Sequence, residues 1–366
     1  MTIHRPVPRA QWLLWRSVAA LGAGADPIAP RRSDPAATAG PERRDPELAA
    51  LAARYGTTPA TALSASPGYE LVPLLDARAV GGYLHRGRWA LTPGDVAAEP
   101  RDSERALSTY LDVLRERRLR PVFAAICDPR PYGRRGFFTA PSVDEAVIDL
   151  RAEPSAGLSA ALRRSVNAAA RAGLLVLRCR AHHSTQVATL AAGAGSSRVG
   201  YGVAGRDSPI GGSVFDEDTA LAECRVVVDS EGRVRAFAIW RSYAAGTCRL
   251  LDGIVSAASA PGYAVDLLIA AGIAEFHGRE LSKLSLGDLP VTSAAGKRAR
   301  SWRSYLERFR PAWQPRWVAL LSGRQFPAAA LALAAGGLVV PSARVALGKT
   351  LRGAWADREI PARASR

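Results

Sequence analysis

Three short apolar segments between residues 222 and 255 constrain the fold more than any other part of the sequence. The segments are Ala222–Asp229, Val234–Ser242 and Cys248–Val255. Short connections containing glycine, at residues 230–232 and 245–246, typically join antiparallel neighbours, so the three segments predict a β-meander. A helix over Tyr263–His277 and a strand over Lys283–Leu286 are expected to follow it.

The preceding half of the chain predicts a similar mixture of elements. Expected helices are Pro46–Arg54, Ser103–Arg118 and Ser155–Gly173, and expected strands are Gly68–Leu75, Gly82–Leu91, Pro121–Cys127 and Leu174–Arg178. The order of elements favours the α+β class, with two successive units whose mixed central sheets are flanked by helices. The predicted divisions are an N-terminal extension and disordered linker at 1–45, a first unit at 46–180, a second, catalytic unit at 181–325, and an apolar, basic tail at 326–366.

Bulk composition narrows the classes of function. The 366 residues carry a formal charge of +16, so polyanions are plausible partners. Four widely separated cysteines favour a reduced, cytoplasmic protein, and no apolar run is long enough to span a bilayer, which predicts a soluble or peripheral protein. The sequence contains no HExxH, GxSxG or Walker motif and no zinc spacing of cysteine and histidine, so we expect no metal.

A meander followed by a helix and a strand is also the order found in acyltransferases of the N-acetyltransferase type. Such enzymes hold the pyrophosphate of acetyl-CoA on a basic, glycine-rich loop at the start of that helix. The corresponding stretch here, Ser256–Tyr263, has no basic residue and no glycine pair. This disfavours acetyl-CoA as the donor.

Several motifs together resemble one family. They are ELAALAARYG at 47–56, LRRSVNAAARAGL at 162–174, GYGVAGRD at 200–207 with FDED at 215–218, EGRVRAFAIWRSY at 231–243, SLGDLP at 285–290, and YLERFRPAWQPRW at 305–317. The pattern over residues 47–345 resembles the C-terminal catalytic domain of phosphatidylglycerol lysyltransferases and alanyl-phosphatidylglycerol synthases. This resemblance implies two tandem acetyltransferase-like (GNAT-like) units, an aminoacyl-tRNA donor, and no cofactor.

The same resemblance suggests which residues form the site. Asp252 matches a family aspartate that would orient or deprotonate the acceptor, and Arg308 would hold an oxyanion or the terminal tRNA phosphate. Glu307 is expected to share the catalytic role. The expected substrate-binding residues are Asp266, Arg303, Tyr305, Arg316, Arg163 and Arg164, of which the last two are placed to meet tRNA phosphates.

Alternatives remain open for several of these residues. Asp252 precedes Gly253, so its side chain is alternatively a turn former at the end of a strand. Trp313 and Trp317 favour packing over a sheet rather than base stacking. The chain departs from the family at Leu306 and Val255, where the family has basic residues, which leaves altered or lost activity open.

The favoured function is aminoacyl transfer to a membrane lipid such as phosphatidylglycerol, with the basic, apolar tail resting on an anionic membrane at the inner face of the plasma membrane. One alternative keeps the tRNA donor but uses a small soluble amine or hydroxyl acceptor in a biosynthetic pathway. Others are a non-catalytic binding module and an acetyltransferase that uses CoA. The sequence specifies neither the amino acid nor the oligomeric state.

Overall fold

The computed structural model describes residues 46–64, 69–151, 159–192, 197–199, 222–290 and 297–321. The predicted linker within 1–45, the predicted tail at 326–366, and the GYGVAGRD and FDED motifs lie outside the described residues.

The described elements fall into two sets with the same order. The first set contains β1 Glu70–Leu74, β2 Ala79–Arg86, β3 Trp89–Thr92, α3 Ser103–Glu116, β4 Arg120–Ile126, α4 Arg130–Gly133 and β5 Phe138–Asp149, preceded by α1 Pro46–Tyr55 and α2 Pro59–Leu63. The second set contains β8 Ala222–Val228, β9 Val234–Tyr243, β10 Cys248–Ser256, α7 Tyr263–Gly278, β11 Lys283–Pro290, α8 Lys297–Leu306 and β12 Ala312–Leu320. Each set is a meander, a helix, a strand parallel to the meander's last strand, a shorter helix and a final strand. The predicted α+β class with two tandem acetyltransferase-like units is therefore confirmed.

The two sets exchange their final strands. Strand β12 lies between β4 and β5, and β5 lies between β12 and β11, so each final strand pairs with the fourth strand of the other set. The main path of the resulting sheet is β1-β2-β3-β4-β12-β5-β11-β10-β9-β8-β6. Because the ladder hydrogen bonds cross from one set to the other, the two sets share one sheet.

Between the sets the described residues form α5 Ala160–Arg171, β6 Leu175–Arg178, a 3₁₀ turn Ala181–His183, α6 Ser184–Ala192 and β7 Ser197–Val199. Strand β6 pairs with β8 at the end of the sheet, and the buried Leu162 and Ala169 of α5 share a core with residues of α7. Helix α5 and strand β6 thus pack against elements of the second set.

Strands β10 and β11 separate part of the way along their length. They pair in parallel only over residues 248–250 and 283–285. Beyond this point β10 has a bulge between Leu251 and Gly253, and β11 has an irregularity at Gly287, whose φ of 99° suits glycine. From Ile254 to Ser256, the edge of β10 that faced β11 pairs instead with β7. We call the place where the two strands part the opening, with Asp252 on the β10 arm and Asp288 on the β11 arm.

The two faces of the sheet differ at the opening. Leu251, Leu289 and Ala146 belong to the apolar core beneath α5, α7 and α8. Glu145 alternates with Ala146, and Asp252 bonds to Arg241, which alternates with the core residue Trp240, so both point to the other face. Asp288, the register partner of Glu145 and the neighbour of Leu289, shares that face. Carboxylates from three strands are thereby placed on one face of the sheet.

Within the described residues, no helix combines the length and apolar character that crossing a membrane requires.

Candidate functional site

Three of the residues predicted to form the site meet at the start of α7. Asp266, in the first turn of that helix, is buried and accepts hydrogen bonds from Arg308 Nη1 (3.0 Å), Arg308 Nη2 (2.7 Å) and Tyr305 Oη (2.9 Å). Arg308 Nη2 also donates to Ser165 Oγ on α5 (3.1 Å). This cluster joins α7 to α5 and to the 3₁₀ turn Glu307–Phe309.

The environment of Tyr305 keeps its hydroxyl group protonated. Its ring stacks on Trp302, with the ring centroids 4.6 Å apart, and contacts Phe309 edge-on. Burial, reinforced by the neighbouring Asp266 carboxylate, raises the pKa of Tyr305 well above its usual range. Tyr305 therefore acts as a hydrogen-bond donor to Asp266, and Arg308 makes a two-point ion pair with the same carboxylate. In this arrangement Tyr305 and Arg308 position the first turn of α7.

Arg303 and Glu307 are placed differently. Arg303 pairs with Asp144 (Nη1 to Oδ2, 2.9 Å), and its guanidinium lies 3.9 Å from the centre of the Trp313 ring. The Glu307 carboxylate is more than half exposed and lies 3.9 Å from Arg303 Nε. Arg303 thus ties α8 to the exchanged strands, while Glu307 remains at the surface.

Asp252 forms an ion pair across the meander. Its Oδ2 atom accepts from Arg241 Nη2 (2.7 Å) and Arg241 Nε (3.2 Å) on the neighbouring strand β9. Neither donation involves Oδ1. The bulge that follows Leu251 displaces the Asp252 carboxylate from a regular ladder position, and Arg241 fixes its orientation at the edge of the opening.

A further polar cluster lies on the exchanged strands. Of its residues, only Arg316 was predicted from the sequence. Arg316 on β12 forms a buried ion pair with Glu145 on β5 through its Nε (2.8 Å to Oε2) and Nη2, and it also donates to Gln314 Oε1 (3.0 Å). Glu145 is the register partner of Asp288 on β11. We call Glu145 and Asp288 the carboxylate pair.

Asp288 has an unusually high proton affinity. Burial and the negative charge of Glu145 together raise its pKa to about 7, against a smaller lowering by the guanidinium of Arg316. Directly opposed carboxylates in an antiparallel sheet repel each other, and one arginine offsets only one of two negative charges. The carboxylate pair is therefore a place where the folded protein holds more negative charge than positive.

Arg163 and Arg164 lie on exposed positions of α5, close in sequence to the Ser165 that contacts Arg308. The described residues thus place these predicted substrate-binding residues at three locations: beside the α7 start, on the exchanged strands, and on the α5 surface. No group of three or more potential metal ligands occurs among the residues described.

We expect Asp288→Asn to stabilise the free protein at pH 8. A carboxyl group whose pKa is raised from 3.8 to about 7 by folding loses folding stability as the pH increases between those values. The asparagine variant cannot ionise, so its free energy of unfolding should exceed that of the wild type by about 2–3 kcal/mol at pH 8, and by less at pH 5. Urea unfolding at both pH values measures the difference. Asp112→Asn, on the exposed surface of α3, is the matched control and should change stability little. A loss of stability in Asp288→Asn at pH 8 would contradict this account.

The exchanged repeats and the strand pair that separates beside α7 define a tandem acetyltransferase-like fold. Solved structures of similar fold include the C-terminal domain of a putative lysylphosphatidylglycerol synthetase from Agrobacterium fabrum. It has 19% identity and a TM-score of 0.63 over 79% of this chain and 95% of that one. L-PGS from Bacillus licheniformis has 17% identity and a TM-score of 0.65 over 82% of this chain and 98% of that one. FemX has 9% identity and a TM-score of 0.53 over 72% of this chain and 90% of that one.

These similarities establish that the chain has the fold of the lysylphosphatidylglycerol synthetase domains, as the sequence resemblance implied. No protein-family model matches the sequence, and no curated protein matches it.

Proposed function

We propose that the protein is an aminoacyltransferase that moves an amino acid from aminoacyl-tRNA to an acceptor. The observation that carries this proposal is the opening in the second set, where the oriented carboxylate of Asp252 faces the same side of the sheet as the carboxylate pair. The fold shared with lysylphosphatidylglycerol synthetase supports it.

The chemistry requires few groups. An acceptor hydroxyl or amine attacks the carbonyl carbon of the aminoacyl ester, the bond from that carbon to the ribose oxygen breaks, and a proton passes from the acceptor to the ribose oxygen. A carboxylate held in a fixed orientation can accept the acceptor proton or align the attacking atom. Asp252 is our candidate for this role because Arg241 holds one of its oxygens and neither bond uses the other.

The tRNA component of the proposal rests on charge. The chain has a formal charge of +16, and Arg164 and Arg171 are exposed on α5, whose Ser165 contacts Arg308. Exposed arginines along one helix suit the phosphates of a polynucleotide, and such contacts weaken as the salt concentration rises.

For the acceptor, we propose a membrane lipid such as phosphatidylglycerol, which would place the protein at the inner face of the plasma membrane. The similarity to the C-terminal domain of a putative lysylphosphatidylglycerol synthetase and to L-PGS supports this choice. A small soluble amine or hydroxyl compound is the second acceptor that the experiment must test.

Purified protein is incubated with a pool of radiolabelled aminoacyl-tRNAs, with and without phosphatidylglycerol vesicles, and the label is partitioned between lipid and water. We expect label in the lipid fraction only when protein, tRNA and vesicles are all present. Label that moves only to added soluble amines would support the biosynthetic alternative. Loss of label from tRNA at the uncatalysed rate under every condition would exclude aminoacyl transfer to these acceptors. Acetyl-CoA in place of tRNA, and boiled protein, serve as controls.

A further inference from the structure

We propose that the carboxylate pair Glu145–Asp288 is the binding site for a primary ammonium group, and specifically for the α-ammonium of the aminoacyl donor. This inference rests on the proposed function, which supplies the donor, but the site itself is argued from the charges and contacts on the exchanged strands.

The first argument is the balance of charge. Among the residues that the structure describes, Arg316 is the one cation that bonds to the carboxylate pair, and its bonds go to Glu145 Oε2. The other described side chains near the pair are not cations. They are the amide of Gln314, the thiol of Cys127, the carboxyl group of Asp95 and the phenol of Tyr243. When both carboxyl groups are ionised, the pair lacks one positive charge.

The second argument is an unpaired acceptor. Glu145 is 1% exposed, and its Oε1 atom is buried without a hydrogen-bond partner, while Oε2 is bonded to Arg316. A buried carboxylate oxygen without a donor is costly, so native proteins retain one mainly where a ligand or a change of state satisfies it. Asp288, directly opposite in the strand register, is only partly buried. Because Asp288 is less buried than Glu145, we place the approach of the ligand on the Asp288 side.

The third argument is the chemistry of the ligand. A primary ammonium has one positive charge and three N–H donors, which match two carboxylate groups better than a guanidinium fork or a neutral amide does. In an aminoacyl ester the ammonium is attached to the carbon next to the reacting carbonyl carbon. An ammonium held on the β11 arm would leave that carbonyl inside the opening, on the face to which Asp252 also points.

The structure also indicates what binding must do to protons. Because burial and Glu145 raise the pKa of Asp288 to about 7, part of the free protein has Asp288 protonated at neutral pH. A bound ammonium favours the ionised carboxylate, so binding at pH 7 should release protons, and affinity should increase as the pH rises through 7.

The test compares donors that differ only at the amino group. Transfer is measured from aminoacyl-tRNA and from N-acetylaminoacyl-tRNA, with the wild type and with Asp288→Asn. We expect acetylation to slow the wild type about 10- to 100-fold, the range for losing a charged hydrogen bond. Asp288→Asn should slow the free-amine donor to a similar extent and leave the acetylated donor unchanged. Equal transfer of both donors by the wild type would overturn the ammonium site while leaving the aminoacyltransferase proposal intact.

A binding measurement separates the two proposals when no transfer is seen. Glycinamide is titrated into the protein at pH 7 by calorimetry in buffers of different ionisation enthalpy, with N-acetylglycinamide as the uncharged match. Proton release with glycinamide alone, lost in Asp288→Asn, would support the site even if tRNA is not a substrate. Absence of proton release in the wild type, or its persistence in Asp288→Asn, would overturn the site.

Discussion

Replacing Arg316 by methionine is expected to lower the free energy of unfolding by about 3–5 kcal/mol at pH 8. The substitution keeps most of the side-chain volume but leaves Glu145, which is 1% exposed, without its cation. The adjoining Asp288 then faces an uncompensated carboxylate. At pH 4 Asp288, whose pKa is raised, is protonated, so its repulsion with Glu145 disappears and the loss should become smaller. Urea unfolding followed by circular dichroism at the two pH values measures both effects.

Two further variants distinguish the buried charge from a general loss of packing. Arg233→Met removes an exposed arginine that pairs with Asp229, and its effect should stay within about 0.5 kcal/mol. The double variant Arg316→Met/Glu145→Leu removes both members of the buried ion pair and leaves Asp288 as the remaining acid, so much of the lost stability should return. A loss in Arg316→Met that is equal at both pH values, and that the double variant does not reduce, would mean that packing rather than charge holds the exchanged strands.

The meander and α7 of the second set could be predicted closely from the sequence, whereas β11 extends four residues beyond its predicted end at Leu286. Apolar segments joined by turns containing glycine predicted the three meander strands, and the apolar run that begins at Tyr263 predicted α7. The predicted bounds of all four elements lie within one residue of those observed. The physical reason is locality, because hairpin turns and helix ends depend on neighbouring residues. In the first half, the single strand predicted at Gly82–Leu91 was wrong. A turn at Gly87, with φ of 57°, divides it into β2 and β3.

The exchanged strands β5 and β12 were not predicted, and their composition explains why. Each contains a proline, Pro141 or Pro315, and proline normally argues against a central strand because it cannot donate to the ladder. The segment with Trp313 and Trp317 was expected to pack over the sheet, whereas it is a strand within it. Only the pairing of distant residues, such as Arg316 with Glu145, makes these polar strands stable in the interior.

The site was predictable only in part. Motif positions named Asp266, Tyr305 and Arg308, but the hydrogen bonds that join them depend on α5 and α7 meeting, which no local pattern specifies. Asp288 was missed, although an acidic residue inside the apolar stretch Leu284–Leu289 was a usable signal. Its partner Glu145 comes from the other set, so the carboxylate pair exists only because the final strands are exchanged.

Asp252→Asn is expected to slow aminoacyl transfer about 10²- to 10⁴-fold, the usual contribution of a positioned acid or base. Asparagine has nearly the same shape and can still accept a hydrogen bond from Arg241, but it cannot take a proton from the acceptor. The loss should therefore fall on kcat, with little change in KM for either substrate. Steady-state transfer from a defined aminoacyl-tRNA, with the active acceptor, provides both constants.

Asp229→Asn is the matched control because Asp229 is also paired with an arginine, Arg233, but lies in the turn between β8 and β9. It should retain the wild-type rate. If Asp252 serves only to end a strand, Asp252→Asn would change the unfolding midpoint and leave kcat unaltered. The two roles thus differ in kcat: a carboxylate positioned at the opening sets the rate of the folded protein, whereas a side chain that only ends a strand changes the unfolding midpoint alone.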